Sequence, residues 1–115
     1  MLEKTLSQPN TQAWVVSGEP VPGYILARRV VDEGEILTLA VLPDCRRQGH
    51  ARALLAVCLK DWSEHGVCAG HLEVAMTNDP ARRLYESSGW KSGRVRSQYY
   101  ANGEDAVQMT WHPSD

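Results

Sequence analysis

The sequence predicts an α/β fold of the α+β kind: a mixed, mostly antiparallel sheet with a central parallel strand pair and helices packed on it. Three observations carry that expectation. Short apolar and β-branched runs over residues 12–16, 24–31 and 36–41 are separated by tight turn clusters. A stretch over residues 49–65 repeats apolar side chains at the three-four spacing of a helix face. An alternating run over residues 70–76 follows, so strand, helix and strand form a right-handed parallel crossover.

Residues 1–10 carry Leu2 and Leu6 at helical spacing before Ser7-Gln8-Pro9-Asn10 breaks the pattern, and read as the end of a helix or a frayed terminus. The cluster Gly18-Glu19-Pro20-Val21-Pro22-Gly23 separates the first two strands as an antiparallel pair. A second turn is expected at Asp32-Glu33-Gly34-Glu35. The run Ile36-Leu37-Thr38-Leu39-Ala40-Val41 is almost continuously apolar, as in a central strand buried on both faces.

In the long helix, Ala51, Leu54, Leu55, Cys58, Leu59 and Trp62 share one face, Arg52, Lys60, Asp61 and Glu64 lie elsewhere, and Gly66 ends it as a left-handed cap. The next strand places Leu72, Val74 and Met76 on one face and His71, Glu73 and Ala75 on the other. Asn78-Asp79-Pro80 starts a short helix with a side-chain cap and a proline in its first turn; Ala81, Leu84 and Tyr85 share its apolar face and Gly89 closes it. Residues 90–100 and 106–111 read as a final antiparallel pair around Asn102-Gly103.

The bulk properties bound the function. A chain of 115 residues without repeats or linker-like stretches suits a single domain over residues 1–115, and no apolar run is long enough to span a membrane. Cys45, Cys58 and Cys68 are odd in number and lack metal-ligand spacing, and the four histidines are scattered, so neither a disulfide framework nor a metal is expected. The first residues lack the apolar core of a signal peptide, which points to the cytoplasm. A net charge of -2, with Arg46, Arg47, Arg82, Arg83, Arg94 and Arg96 dispersed along the chain, speaks against nucleic-acid binding.

The chemistry-bearing stretch is Pro43-Asp44-Cys45-Arg46-Arg47-Gln48-Gly49-His50-Ala51, where a strand turns through basic and glycine residues into a helix. Glycine permits close approach of a ligand, and a helix start offers unpaired N–H groups and a positive dipole end, so the stretch reads as a phosphate cradle. An ordinary strand-to-helix connection has the same composition, and both readings stand on these residues alone. Topology would bring the cradle and the helix start after Asn78 to one sheet edge, where ligands of open α/β sheets bind.

Glu73 is unusual in mid-strand, as either a solvated carboxylate or a general base; Tyr85 is either a core tyrosine or a proton donor; Asn78 is a cap or a ligand contact.

Arg46-x-x-Gly49-x-Ala51 after an apolar strand resembles the pyrophosphate loop of the GNAT family of N-acetyltransferases, which use acetyl-CoA. Leu72-Glu73-Val74, Asn78-Asp79-Pro80-Ala81 and Leu84-Tyr85-Glu86-Ser87-Ser88-Gly89-Trp90 follow in the family's order. Residues 94–100 with Tyr99-Tyr100, then Gly103-Glu104-Asp105-Ala106 and Met109, are similar to its RimI branch, which acetylates the N-terminal alanine of a small-subunit ribosomal protein. The resemblance covers residues 12–111.

It implies that the backbone around Arg46, Arg47, Gln48, Gly49, His50 and Ala51 holds the pyrophosphate of acetyl-CoA. The strand edge at Leu39, Ala40 and Val41 would pair with the pantetheine arm and orient the acetyl carbonyl, with Asn78 bonding the same arm. Glu73 would be the base for the α-ammonium of a protein N-terminus and Tyr85 the acid for the departing thiolate. The acceptor would be a ribosomal protein, with a small amine, a lysine side chain, or a truncated, non-catalytic CoA-binding domain as the alternatives. The family usually has a strand and a helix pair before the segment at residues 12–16. The expected fold therefore lacks the usual first strand and first helix, residues 1–6 being a remnant of the second helix. That leaves a sheet edge open to a second copy, as in a homodimer.

Overall fold

The structure, a computed structural model, describes residues 1–113. These hold seven strands and two α-helices in a mixed α/β fold. The chain forms two compact units, Met1–Cys68 and Ala69 onward.

In the first unit β1 (Leu2–Ser7), β2 (Thr11–Val16), β3 (Gly23–Val30) and β4 (Glu33–Val41) run as an antiparallel meander. The start of the chain corrects the helix-remnant reading. Ser7-Gln8-Pro9-Asn10 is a hairpin turn rather than a helix stop, closed by the Gln8 N–H on the Thr11 carbonyl at 2.9 Å and the Gln12 side-chain amide on the Gln8 carbonyl at 3.0 Å. Leu2 pairs with Val16 and Leu6 with Ala13 across a bulge. The bulge resets the alternation, so two leucines four residues apart fit a strand as well as a helix. A strand therefore does stand before Thr11, and the edge of β2 expected to be open to a second copy is taken by β1.

Helix α1 (His50–Glu64) covers one face of this meander, packing Leu54, Leu55, Cys58 and Trp62 over Trp14, Val16, Ile25, Ala27 and Ile36. Each large side chain so buried contributes about 1.5–3 kcal/mol. The turn expected at residues 32–35 lies earlier: Val30 pairs with Glu33, and the exposed Val31 takes φ 57° at the bend. Gly34 is instead a strand residue against the ring of Trp62, where a Cβ would come within 2.5 Å of Cε2.

Two further expectations are corrected. Within this unit β4 is not buried on both faces, because α1 covers only one: Leu37 is 41% exposed and Leu39, Ala40 and Val41 are half-buried. Asp61, expected away from the apolar face, is buried. Its carboxylate meets Arg29 at 3.1 Å and Lys4 at 3.6 Å, which compensates the desolvation and ties α1 to β3 and β1.

In the second unit β7 (Ala106–Trp111) lies between β5 (Ala69–Ala75) and β6 (Lys91–Arg96), antiparallel to both. Helix α2 (Asp79–Ser87) follows β5. Trp90 sits between Tyr85 and Trp111, with ring centroids 5.9 and 6.4 Å away. The final hairpin is shorter than expected. Residues 97–105 form a loop held by the Tyr100 N–H on the Glu104 carbonyl, the Gly103 N–H on the Tyr100 carbonyl and the Gln98 N–H on the Asp105 carboxylate. Among the described residues no helix is long and apolar enough to cross a membrane.

Candidate active site

In the first unit the stretch expected to be a phosphate cradle is shaped by main chain. After Val41 the chain passes through a single 3-10 turn, Pro43–Cys45, and the Arg46 guanidinium Nε donates to the Val41 carbonyl at 3.2 Å, folding the loop back on the end of β4. Arg46 is thereby partly engaged in shaping the loop. Arg47 takes φ 64° and Gly49 φ 81°, two left-handed residues just ahead of the helix, a geometry that turns successive N–H groups toward one side. No side chain caps the start of α1 at Gly49. The first intrahelical bond there joins the Ala53 N–H to the Gly49 carbonyl, leaving the earlier N–H groups of the turn without intrahelical acceptors.

The space over Gly49 is open, with no atom within 4 Å of where a Cβ would stand. Arg46, Arg47, Gln48 and Gly49 are exposed, and His50 and Ala51 are half-buried. The donors, the open space and the dipole fit an anionic phosphate ester.

The second unit supplies ionisable side chains. Glu73 stands in mid-β5 opposite Gln108, on the half-buried face with His71 and Ala75. Its side chain is 20% exposed; Oε1 forms an ion pair with the Arg96 Nε at 3.2 Å, and Oε2 is buried without a hydrogen-bond partner among the described residues. The arrangement provides a carboxylate paired at one oxygen and buried but unsatisfied at the other.

Tyr85 is buried on α2, and its phenol pKa is pushed up to about 12 by burial, with the nearby Tyr100 adding to the effect. A phenol so placed stays protonated through the neutral range and has a proton to donate. Tyr100 is raised as well, by desolvation first and then by Tyr99, Glu73 and Glu104. Asn78 caps α2, its Oδ1 accepting from the Ala81 N–H at 3.3 Å, so only its side-chain NH2 remains to be offered to a ligand.

The Arg96 contact with Glu73 escaped sequence reading. The residues are separated by the whole of α2, and only the order β5-β7-β6, which inserts the last strand between the two, lets them meet on one face. Arg96 also lies 5.7 Å over the Tyr99 ring, which stands edge-on to Tyr100 at 5.0 Å. Among the described residues no group of three or more His, Cys, Asp and Glu side chains could hold a metal ion.

A family model described as an acetyltransferase (GNAT) domain matches residues 1–113. The chain belongs to the GNAT family. An N-alpha-acetyltransferase from Sulfurisphaera tokodaii is 37% identical over 107 residues, covering 82% of this chain and 64% of that protein. The [Ribosomal protein bS18]-alanine N-acetyltransferase of Escherichia coli is 37% identical over 89 residues, covering 75% and 60%. The crystal structure of the E. coli ribosomal-protein-S18-alanine N-acetyltransferase superposes with a TM-score of 0.85 at 31% identity, over 95% of this chain and 73% of that one. This GNAT chain thus spans somewhat under two thirds of the length of the curated relatives it matches.

Proposed function

We propose that this chain transfers the acetyl group of acetyl-CoA to the N-terminal α-amine of a protein, in a ternary complex and without a covalent enzyme intermediate. The observation that carries this reading is Glu73: a largely buried carboxylate with one oxygen held and the other unsatisfied, on a chain whose relatives are N-alpha-acetyltransferases. The name of the E. coli relative supports a ribosomal protein beginning with alanine as the acceptor, and with such an acceptor we place the reaction in the cytoplasm.

In this mechanism the main chain of Arg46, Arg47, Gln48, Gly49, His50 and Ala51 binds the pyrophosphate. The half-buried edge at Leu39, Ala40 and Val41 pairs with the pantetheine arm and polarises the thioester carbonyl, and the Asn78 amide donates to the same arm. The Glu73 carboxylate removes a proton from the α-ammonium, directly or through one water. The freed amine nitrogen bonds to the carbonyl carbon, the carbon–sulfur bond breaks, and Tyr85 gives its proton to the leaving sulfur; the second proton shed by the nitrogen, now an amide, restores the Tyr85 phenol, so that the one proton released overall is the one taken by Glu73. Catalysis rests on positioning and on placing the proton donor and acceptor.

Mass spectrometry tests this directly, on peptides with free and blocked N-termini, one starting with alanine and one carrying an internal lysine, after incubation with acetyl-CoA. Acetylation confined to the free α-amine is the expected result. Transfer to lysine or to small amines alone would replace the acceptor class. Binding of acetyl-CoA without transfer to any amine would make the chain a CoA-binding domain.

A further inference from the structure

We infer that Arg96 is a positioning residue for this transfer, holding Glu73 in its proton-accepting orientation and offsetting its charge so that the acceptor is not trapped as an unreactive ammonium. The inference rests on the assignment of Glu73 as base.

The geometry has three parts. The Arg96 Nε pairs with Oε1 and fixes the carboxylate, whose Oε2 is buried without a hydrogen-bond partner. Arg96 is itself fixed from its other side, its guanidinium lying over the Tyr99 ring, and Tyr99 is braced edge-on by Tyr100. One cation therefore couples the mid-strand carboxylate of β5 to the loop that follows β6.

A largely buried carboxylate with no resident cation would pair strongly with an incoming α-ammonium, and that pairing stabilises the protonated, non-nucleophilic form. Binding so gained is realised in the ground state and lost on the way to the transition state. With Arg96 alongside, the ammonium meets a nearly neutral pair, which weakens the ion pair, and the like charge of the guanidinium favours loss of the ammonium's proton. Arg96 is 49% exposed, and screening by solvent keeps its influence modest.

The test is a comparison of Arg96→Gln, Arg96→Lys and Glu73→Gln on an alanine-starting peptide. Arg96→Gln should lower kcat about tenfold while KM for the peptide falls or stays level and KM for acetyl-CoA is unchanged, the pattern of a lost ground-state safeguard. Arg96→Lys, which keeps the charge, should recover most of kcat. An unchanged kcat in Arg96→Gln, a peptide KM that rises instead, or a lysine variant as impaired as the glutamine one would overturn the inference. Glu73→Gln separates the two levels of the account. If it retains wild-type kcat, the base assignment itself fails. If it is inactive while Arg96→Gln behaves as wild type, only the role of Arg96 fails.

Discussion

The two units of this chain differ in what their candidate sites are made of. In Met1–Cys68 the cradle is main chain: two left-handed residues, an uncapped helix start and open space over Gly49. In the unit that begins at Ala69 the groups are side chains: a half-held carboxylate, a buried phenol and a guanidinium over an aromatic ring. A backbone site depends on dihedral angles and free volume, and is damaged by whatever fills space or bars a left-handed conformation. A side-chain site depends on single functional groups and is damaged by isosteric changes that leave the shape intact.

Isosteric replacement of the proposed base gives the largest expected effect. Glu73→Gln should reduce transfer by roughly 10²–10⁴-fold, the usual worth of a positioned base, with acetyl-CoA affinity preserved. Steady-state rates alongside a cofactor titration check both halves of that statement. Next comes Gly49→Val, which places a β-branched residue at φ 81° and fills the open space over the cradle. The strained conformation costs on the order of 1–3 kcal/mol, so cofactor affinity should fall by about tenfold or more while Glu73 and its neighbours are untouched.

The third expectation concerns pH. Folding raises the Tyr85 phenol from 10 to about 12, so the folded state binds its proton more tightly than the unfolded chain does. That contribution to stability is complete below pH 10 and is lost as pH rises toward 12. Tyr85→Phe should flatten this part of the Tm profile and also slow transfer. A melting profile across that window that is identical in both proteins would count against the burial of a protonated phenol.

The smallest effect is expected at Arg47. Arg47→Gly relieves a left-handed non-glycine residue, so stability should stay level or rise by up to about 1 kcal/mol. Cofactor affinity should change by less than about threefold, because the main chain supplies the donors. A large loss of affinity would mean that the Arg47 guanidinium, not its backbone, holds the phosphate.

The same contrast explains how much was legible in the sequence. The cradle announces itself locally, since Gly49, the basic run and the amphipathic helix are contiguous, and Asn78-Asp79-Pro80 marks the start of α2 equally plainly. Alternation alone set Glu73 on the face opposite Leu72 and Val74. What local pattern could not carry were the facts of pairing. The Leu2 and Leu6 spacing suits a helix until the Gln8 and Thr11 bond shows a hairpin. Gly34 reads as a turn until Trp62 is seen against it, and Asp61 reads as solvated until Arg29 and Lys4 arrive from distant strands. Arg96 meets Glu73 only because β7 enters between their strands.

On the proposed reading, pyrophosphate capture lies in main chain of the first unit and proton handling in side chains of the second. Calorimetric titration of acetyl-CoA into the wild type, Gly49→Val and Glu73→Gln tests it most directly. The account predicts wild-type affinity for Glu73→Gln and an affinity weakened about tenfold or more for Gly49→Val. Undiminished binding by Gly49→Val, or binding lost in Glu73→Gln, would contradict it.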